Sequence, residues 1–386
     1  MTARFEELVE TARGIAGRPV DAAAAALKAA APGRPLIGCF PVYSPVELIH
    51  AGGALPLGVF GGGNQIEIAH ADARFQSFVC SIVKSTLELG LTQRLSALDG
   101  MLFHSICDPA RNLASVFKRN FPALRVEYLH LPQNLGSPRA QDYLVAEYER
   151  LLEWLAELTG RRAGRDEIER SIVLYNRARA LVRRLYGIRV EAPERLSAAE
   201  CYALVRAGTV MPVEGHIELL QQALAALESR RPRPKDRIRV VLEGCFCEQP
   251  PLELIERLED AGCYVVDDDF LLGWRFFLGE VPSVPDPLQG LASAYLHGSV
   301  YCGVKHDLRE PKAKHLLDKV RERRAAAVMI LAAKFCEPAL FDYALYRKAL
   351  DEAQIPHLFL EFEEKAWVFD RVRSEVETFV ESMLFA

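Results

Sequence analysis

One stretch of this chain occurs twice. Gly38-Cys39-Phe40 followed by Pro45-x-Glu47-Leu48-Ile49 returns as Gly244-Cys245-Phe246 followed by Pro251-x-Glu253-Leu254-Ile255, seven identities at one offset of 206 residues. Ala51-Gly52 matches Ala261-Gly262, and Cys107-Asp108-Pro109 matches Cys336-Glu337-Pro338, each pair after a small change in loop length. Cys80 pairs with Cys302 on order and rough spacing alone. Chance accounts for one matching tripeptide, but poorly for several matches in the same order. The chain therefore reads as one folding unit built twice.

The unit reads as α/β. Short apolar runs near 35–39, 56–60, 99–103 and 125–129 predict strands, and helical patterns near 45–52, 74–90 and 109–119 separate them. That alternation implies parallel βαβ units. Strands resume near 238–243, 264–268, 326–332 and 357–361. Between the copies, 138–228 is helical in pattern, with Trp154, Ile172, Leu181 and Leu185 at helix-compatible spacings, and Arg230–Lys235 reads as a solvated basic linker. The expected organisation is N-terminal helices (1–34), a first α/β domain (35–137), a helical insert and linker (138–235) and a second α/β domain (236–386). Both α/β domains are expected to be Rossmann-like, with a parallel sheet.

Composition narrows the function. A chain of 386 residues with 50% hydrophobic and 26% charged residues can bury real cores and is not disordered. Its charge of −5 and pI near 6.1 give no electrostatic case for nucleic acid. The strongly apolar stretch Ala325–Ala333 falls far short of a membrane span and reads as a buried strand. The first residues lack the order of a secretory signal, so the expectation is a soluble cytoplasmic chain with no membrane contact. Nine cysteines in such a chain are reduced thiols that pack or bind metal, not a disulfide framework.

Four of them fall where a parallel sheet binds ligands, at the carboxyl edge. Cys39 and Cys245 follow the first strand of each half, and Cys107 and Cys336 the third. A helix N-terminus there favours the thiolate that metals require. Cys80 reads as lying within the helix before the third strand. No CxxC pair exists, which argues against zinc ribbons and fingers. Scattered thiolates suit an iron–sulfur cluster instead, although packing as small buried hydrophobes remains open for each of them. Cys201 and Cys263 read as packing residues, and Cys247 is unassigned. There is no G-x-x-x-x-G-K-[ST] loop, nucleophile elbow or H-E-x-x-H. Gly61-Gly62-Gly63 lacks dinucleotide spacing and reads as a flexible loop.

Gly38-Cys39-Phe40-Pro41, Tyr43-x-Pro45-x-Glu47-Leu48, Ala51-Gly52, Cys80, Cys107-Asp108-Pro109 and Phe335-Cys336-Glu337-Pro338 resemble the 2-hydroxyacyl-CoA dehydratase and benzoyl-CoA reductase family. The resemblance runs from about residue 35 to the C-terminus, and within the family it is greatest to the smaller cluster-bearing subunit of ATP-dependent benzoyl-CoA reductases. It implies an interdomain 4Fe-4S cluster on Cys80, Cys107 and Cys336. It further implies a paralogous cluster-bearing subunit, ATP-hydrolysing activator subunits, reduced ferredoxin and an acyl-CoA substrate, with ATP used only through partners. The implied reaction dearomatises benzoyl-CoA to a cyclic dienoyl-CoA by single-electron, ketyl-type steps, with His104 a candidate proton donor or else a structural histidine. The alternatives are a subunit of an (R)-2-hydroxyacyl-CoA dehydratase, a non-catalytic electron-relay or scaffold subunit, and a double-cubane reductase in which Cys39, Cys245 and Cys302 also ligate.

Overall fold

The computed structural model describes residues 2–41, 43–245, 250–270, 279–299, 305, 311–362 and 369–384. Helices α1 (Thr2–Ala16) and α2 (Val20–Ala30) precede β1 (Leu36–Cys39), α3 (Val46–Ala51), β2 (Leu55–Gly58), α4 (Ser81–Leu91), β3 (Gly100–His104), α5 (Asp108–Asn120) and β4 (Arg125–Leu129). Four helices follow: α6 (Ala140–Thr159), α7 (Arg165–Glu191), α8 (Ala198–Ala207) and α9 (Val213–Leu227). The second series is β5 (Ile238–Cys245), α10 (Leu252–Asp260), β6 (Cys263–Asp267), α11 (Pro287–Gly298), α12 (Lys312–Glu322), β7 (Ala327–Ala333), α13 (Glu337–Glu352), β8 (His357–Phe362) and α14 (Asp370–Leu384).

The repeat in sequence is a repeat in topology. One sheet has the order β2-β1-β3-β4 and the other β6-β5-β7-β8, with every neighbouring pair parallel. In each sheet the chain steps from its first strand to one side and later returns to the other. This opens a crevice at the carboxyl ends between β1 and β3, and again between β5 and β7. Continuous apolar runs suit strands covered on both faces, as the fully buried β3 and β6 show.

The repeated glycine has a packing reason in each copy. A Cβ on Gly38 would sit 2.5 Å from the Met101 sulfur on the neighbouring strand. At Gly244, φ is +132° and a Cβ would meet the Leu331 carbonyl oxygen at 2.1 Å. Gly244→Ala therefore combines backbone strain with a backbone clash, and should lower stability by at least ~2 kcal/mol in chemical denaturation. A loss below about 0.5 kcal/mol would show that the strand can shift to accept it.

Three hydrophobic clusters organise the layers. One joins the inner faces of both sheets, through Ile37, Leu102, Val240 and Met329, to the insert helices α6 to α9. A second packs α2, α4 and α5 on the outer face of the first sheet, and a third packs α12 and α13 on the outer face of the second. The helical insert thus forms a shared layer that holds the two copies in fixed relation. Buried ion pairs reinforce it: Arg179 of α7 meets the fully buried Glu47 of α3, and Arg189 of α7 donates to Asp268 just after β6 at 2.5 Å. The repeat has diverged here, because Glu253, the counterpart of Glu47, makes only a half-exposed pair with Arg257 one turn along its own helix.

Two expectations change. The helix read over 74–90 begins only at Ser81; a 3-10 turn covers Ala71–Arg74, and 75–80 is irregular. Phe75, Phe78 and Val79 have helical spacing, but they line a cavity instead. The 230–235 stretch is non-regular and mostly exposed, yet Arg230 is anchored by Glu200 and the Arg195 carbonyl and lies over Phe5. Among the described residues no helix is long and apolar enough to cross a membrane.

Candidate functional site

Cys80, Cys107 and Cys336 line one cavity of about 640 Å³, to which both copies of the repeat contribute. Each occupies the same local position, the N-cap of a helix: Cys80 for α4, Cys107 for α5 and Cys336 for α13. Two of these caps are built alike, with a carboxylate next (Asp108, Glu337) and proline in the first turn (Pro109, Pro338). Proline is preorganised for a first helical turn and lacks the N–H that would go unbonded there. The helices start sharply at the strand ends, and three partially positive N-termini converge on the sulfurs. That environment favours thiolate over thiol.

The walls are largely aromatic and aliphatic, from Phe75, Phe78, Val79, Ile106, Phe335 and Phe341. Phe78 and Phe341 are 61% and 75% exposed, so the cavity has an apolar rim. Phe335, beside Cys336, holds a left-handed φ of +64°, a strained conformation for a non-glycine residue. Arg74, Asp108, Glu337 and Asp342 are the other charged groups on the cavity. Asp342 pairs with Lys312 through Oδ1 at 2.7 Å, whereas its buried Oδ2 has no hydrogen-bond partner among the described residues. These carboxylates were not picked out from sequence, although the acid of each Cys-Asp/Glu-Pro turn was in plain view.

The donor set fits a cluster better than a single ion. Among the described residues no group of three or more His, Cys, Asp or Glu side chains could hold one metal ion. A cubane offers a different iron to each thiolate, so its ligands need not meet at a point. Three cysteines facing a cavity of this size suit that geometry.

The remaining cysteines separate by burial. Cys39 ends β1, donates to the Ile37 carbonyl and does not line the cavity; burial pushes its thiol up to about 12. Cys201 and Cys263 are fully buried, as expected of packing residues. Cys245 ends β5, and Cys247 and Cys302 lie outside the described residues.

His104 is not at the cavity. It is fully buried, its Nε2–H donates to the Phe40 carbonyl at 2.8 Å, and its Nδ1 has no hydrogen-bond partner among the described residues. Desolvation drives its pKa down to about 4, so the imidazole is neutral near pH 7. The strand-to-helix turn between His104 and Cys107 sends the two side chains to different places, and the structural reading of this histidine is the one its contacts support.

Residues 41–383 match the family model described as 2-hydroxyglutaryl-CoA dehydratase, D-component. The chain belongs to that family. Among relatives of this D-component family, the chain is 42% identical to a benzoyl-CoA reductase subunit of Thauera aromatica over 92% of both chains. It is 25% identical to the (R)-phenyllactyl-CoA dehydratase beta subunit of Clostridium sporogenes, over 91% of this chain and 92% of the relative. It is 26% identical to the (R)-2-hydroxyglutaryl-CoA dehydratase beta subunit of Acidaminococcus fermentans, over 92% and 93%. These D-component relatives are subunits of multi-subunit enzymes, and the present chain is an enzyme subunit of the same kind.

Proposed function

We propose that this chain is the iron–sulfur subunit of an ATP-dependent, ferredoxin-using benzoyl-CoA reductase, with Cys80, Cys107 and Cys336 holding a 4Fe-4S cluster. The observation that carries the reading is the convergence of three N-cap cysteines, drawn from both copies of the repeat, on one cavity. The 42% identity to a benzoyl-CoA reductase subunit, against 25–27% to dehydratase subunits, favours reduction over dehydration.

When bound, the cluster would supply single electrons at low potential. The chain's own part is to keep three thiolates ionised at helix N-termini and to wall the site with aromatic side chains that limit water. The carboxyl groups of Asp108, Glu337 and Asp342 line the same cavity and can carry protons there; His104, neutral and bonded to Phe40, has no such role in this reading. The sequence has no G-x-x-x-x-G-K-[ST] loop, and in this reading ATP hydrolysis and electron delivery belong to activator subunits and ferredoxin. The exposed Phe78 and Phe341 suit burial against a partner subunit.

The test uses the anaerobically purified complex of this chain with its partners, ATP and reduced ferredoxin. Benzoyl-CoA should be converted to a cyclic dienoyl-CoA, with two electrons and two protons consumed per molecule. Turnover only of an (R)-2-hydroxyacyl-CoA, without net electron consumption, would overturn the assignment in favour of a dehydratase.

A further inference from the structure

A second cavity, of about 250 Å³, shares no lining residue with the cysteine cavity. Gly61-Gly62-Gly63, after β2, and Pro251, which caps the N-terminus of α10, line it together with Arg18 and Arg206. Arg206, on α8, is 9% exposed. Its Nη1 donates to the Thr209 hydroxyl, its guanidinium lies 5.1 Å from the Phe60 ring centroid, and Tyr202 is its other polar neighbour. None of these carries a formal negative charge, and among the described residues no carboxylate forms an ion pair with Arg206. Two other buried cations are paired with carboxylates instead: Arg189 meets Asp268 and Lys84 meets Asp72. A desolvated charge without a counter-charge is costly, and here it faces an open cavity.

The surroundings suit an anion. Gly61 and Gly63 have φ of +75° and +49°, with Gly62 between them in the right-handed region. Glycine is the residue that reaches these positive φ values without steric cost, which lets the loop wall the cavity closely beside Arg206. A Cβ on Gly62 would strike the Ile66 side chain at 2.1 Å, so a larger residue there requires Ile66 to move. The α10 N-terminus adds a partial positive charge, and the exposed Arg18 a second full one.

We infer that this cavity binds the phosphate groups of an organic phosphate, with Arg206 as the buried counter-charge and Arg18 at its exposed side. Charge-assisted bonds from a buried guanidinium are the strong class of hydrogen bond.

Calorimetric titration of the full chain with pyrophosphate, ADP and free coenzyme A tests this without iron or turnover, so its failure leaves the cysteine reading intact. At least one of the three should bind below about 1 mM. Arg206→Gln should weaken binding about 10- to 100-fold. Arg18→Ala, at an exposed position that does not disturb folding, should weaken it about threefold and reduce its salt dependence. Coenzyme A bound at least tenfold more tightly than pyrophosphate would support the site with a thioester as the source, and ADP bound as tightly as coenzyme A would support it with an adenine nucleotide. No binding of any of the three, or affinities unchanged in both variants, would overturn the inference.

Discussion

Replacing Cys107 by Ser should give a folded chain that cannot keep its iron. Serine is among the preferred N-cap residues, so α5 keeps its start and the change removes a thiolate without removing a cap. Wild-type chain purified anaerobically should carry about four irons and four sulfides, the content of one cubane. The variant should carry less than about one. Changes one shell out from a metal already cost roughly 10- to 100-fold in affinity or activity, so loss of a ligand should lower turnover of the complex by at least about 100-fold. Cys80→Ser and Cys336→Ser should behave alike, since both are N-caps on the same cavity. Cys201→Ala, buried in α8, should retain full iron at some cost in stability. A wild-type content near eight irons would require further ligands and would support the double-cubane reading instead. Full activity in Cys107→Ser would remove this cavity from the mechanism.

Arg189→Leu should be the most damaging single change to the scaffold, costing about 3–5 kcal/mol. The guanidinium is fully buried, bonds Asp268 and the Val265 carbonyl, and ties α7 to the end of β6. Its removal leaves the Asp268 carboxylate in a dry interior beside neutral donors such as the Tyr186 hydroxyl and the Phe270 N–H. Arg189→Leu combined with Asp268→Asn should recover much of the loss, because the cost lies mainly in the stranded charge. Urea midpoints of the wild type, Arg189→Leu, Asp268→Asn and the double variant provide the comparison. A single-variant loss under about 1 kcal/mol would mean that the insert does not hold the second copy through this pair.

The features legible from sequence were those fixed by local pattern. All eight strands lie within two residues of the apolar runs that announced them, because strands covered on both faces must be continuously apolar. The repeated Gly-Cys-Phe and Cys-Asp/Glu-Pro segments located the two sheets and the helix starts at their carboxyl edges. What escaped was decided by tertiary packing. The stretch 75–80 carries a helical spacing of aromatics, but a cavity wall claims their side chains and Cys80 gives no recognised cap signal. His104 stands three residues from Cys107, yet the end of β3 directs it to the Phe40 carbonyl. Arg206 and the glycine run are more than 140 residues apart, and no local spacing could have joined them.

The cysteine cavity draws on both copies of the repeat, and this fixes a time order for biosynthesis. Cys336 leaves the ribosome 229 residues after Cys107 (336 − 107), a delay of roughly 10–50 s at about 5–20 residues per second. In that interval the first sheet can form while its two thiols wait without their third partner. In the proposed reading, a cluster on all three cannot be completed before β7 and α13 have been made, and Cys80 and Cys107 have to stay reduced until then.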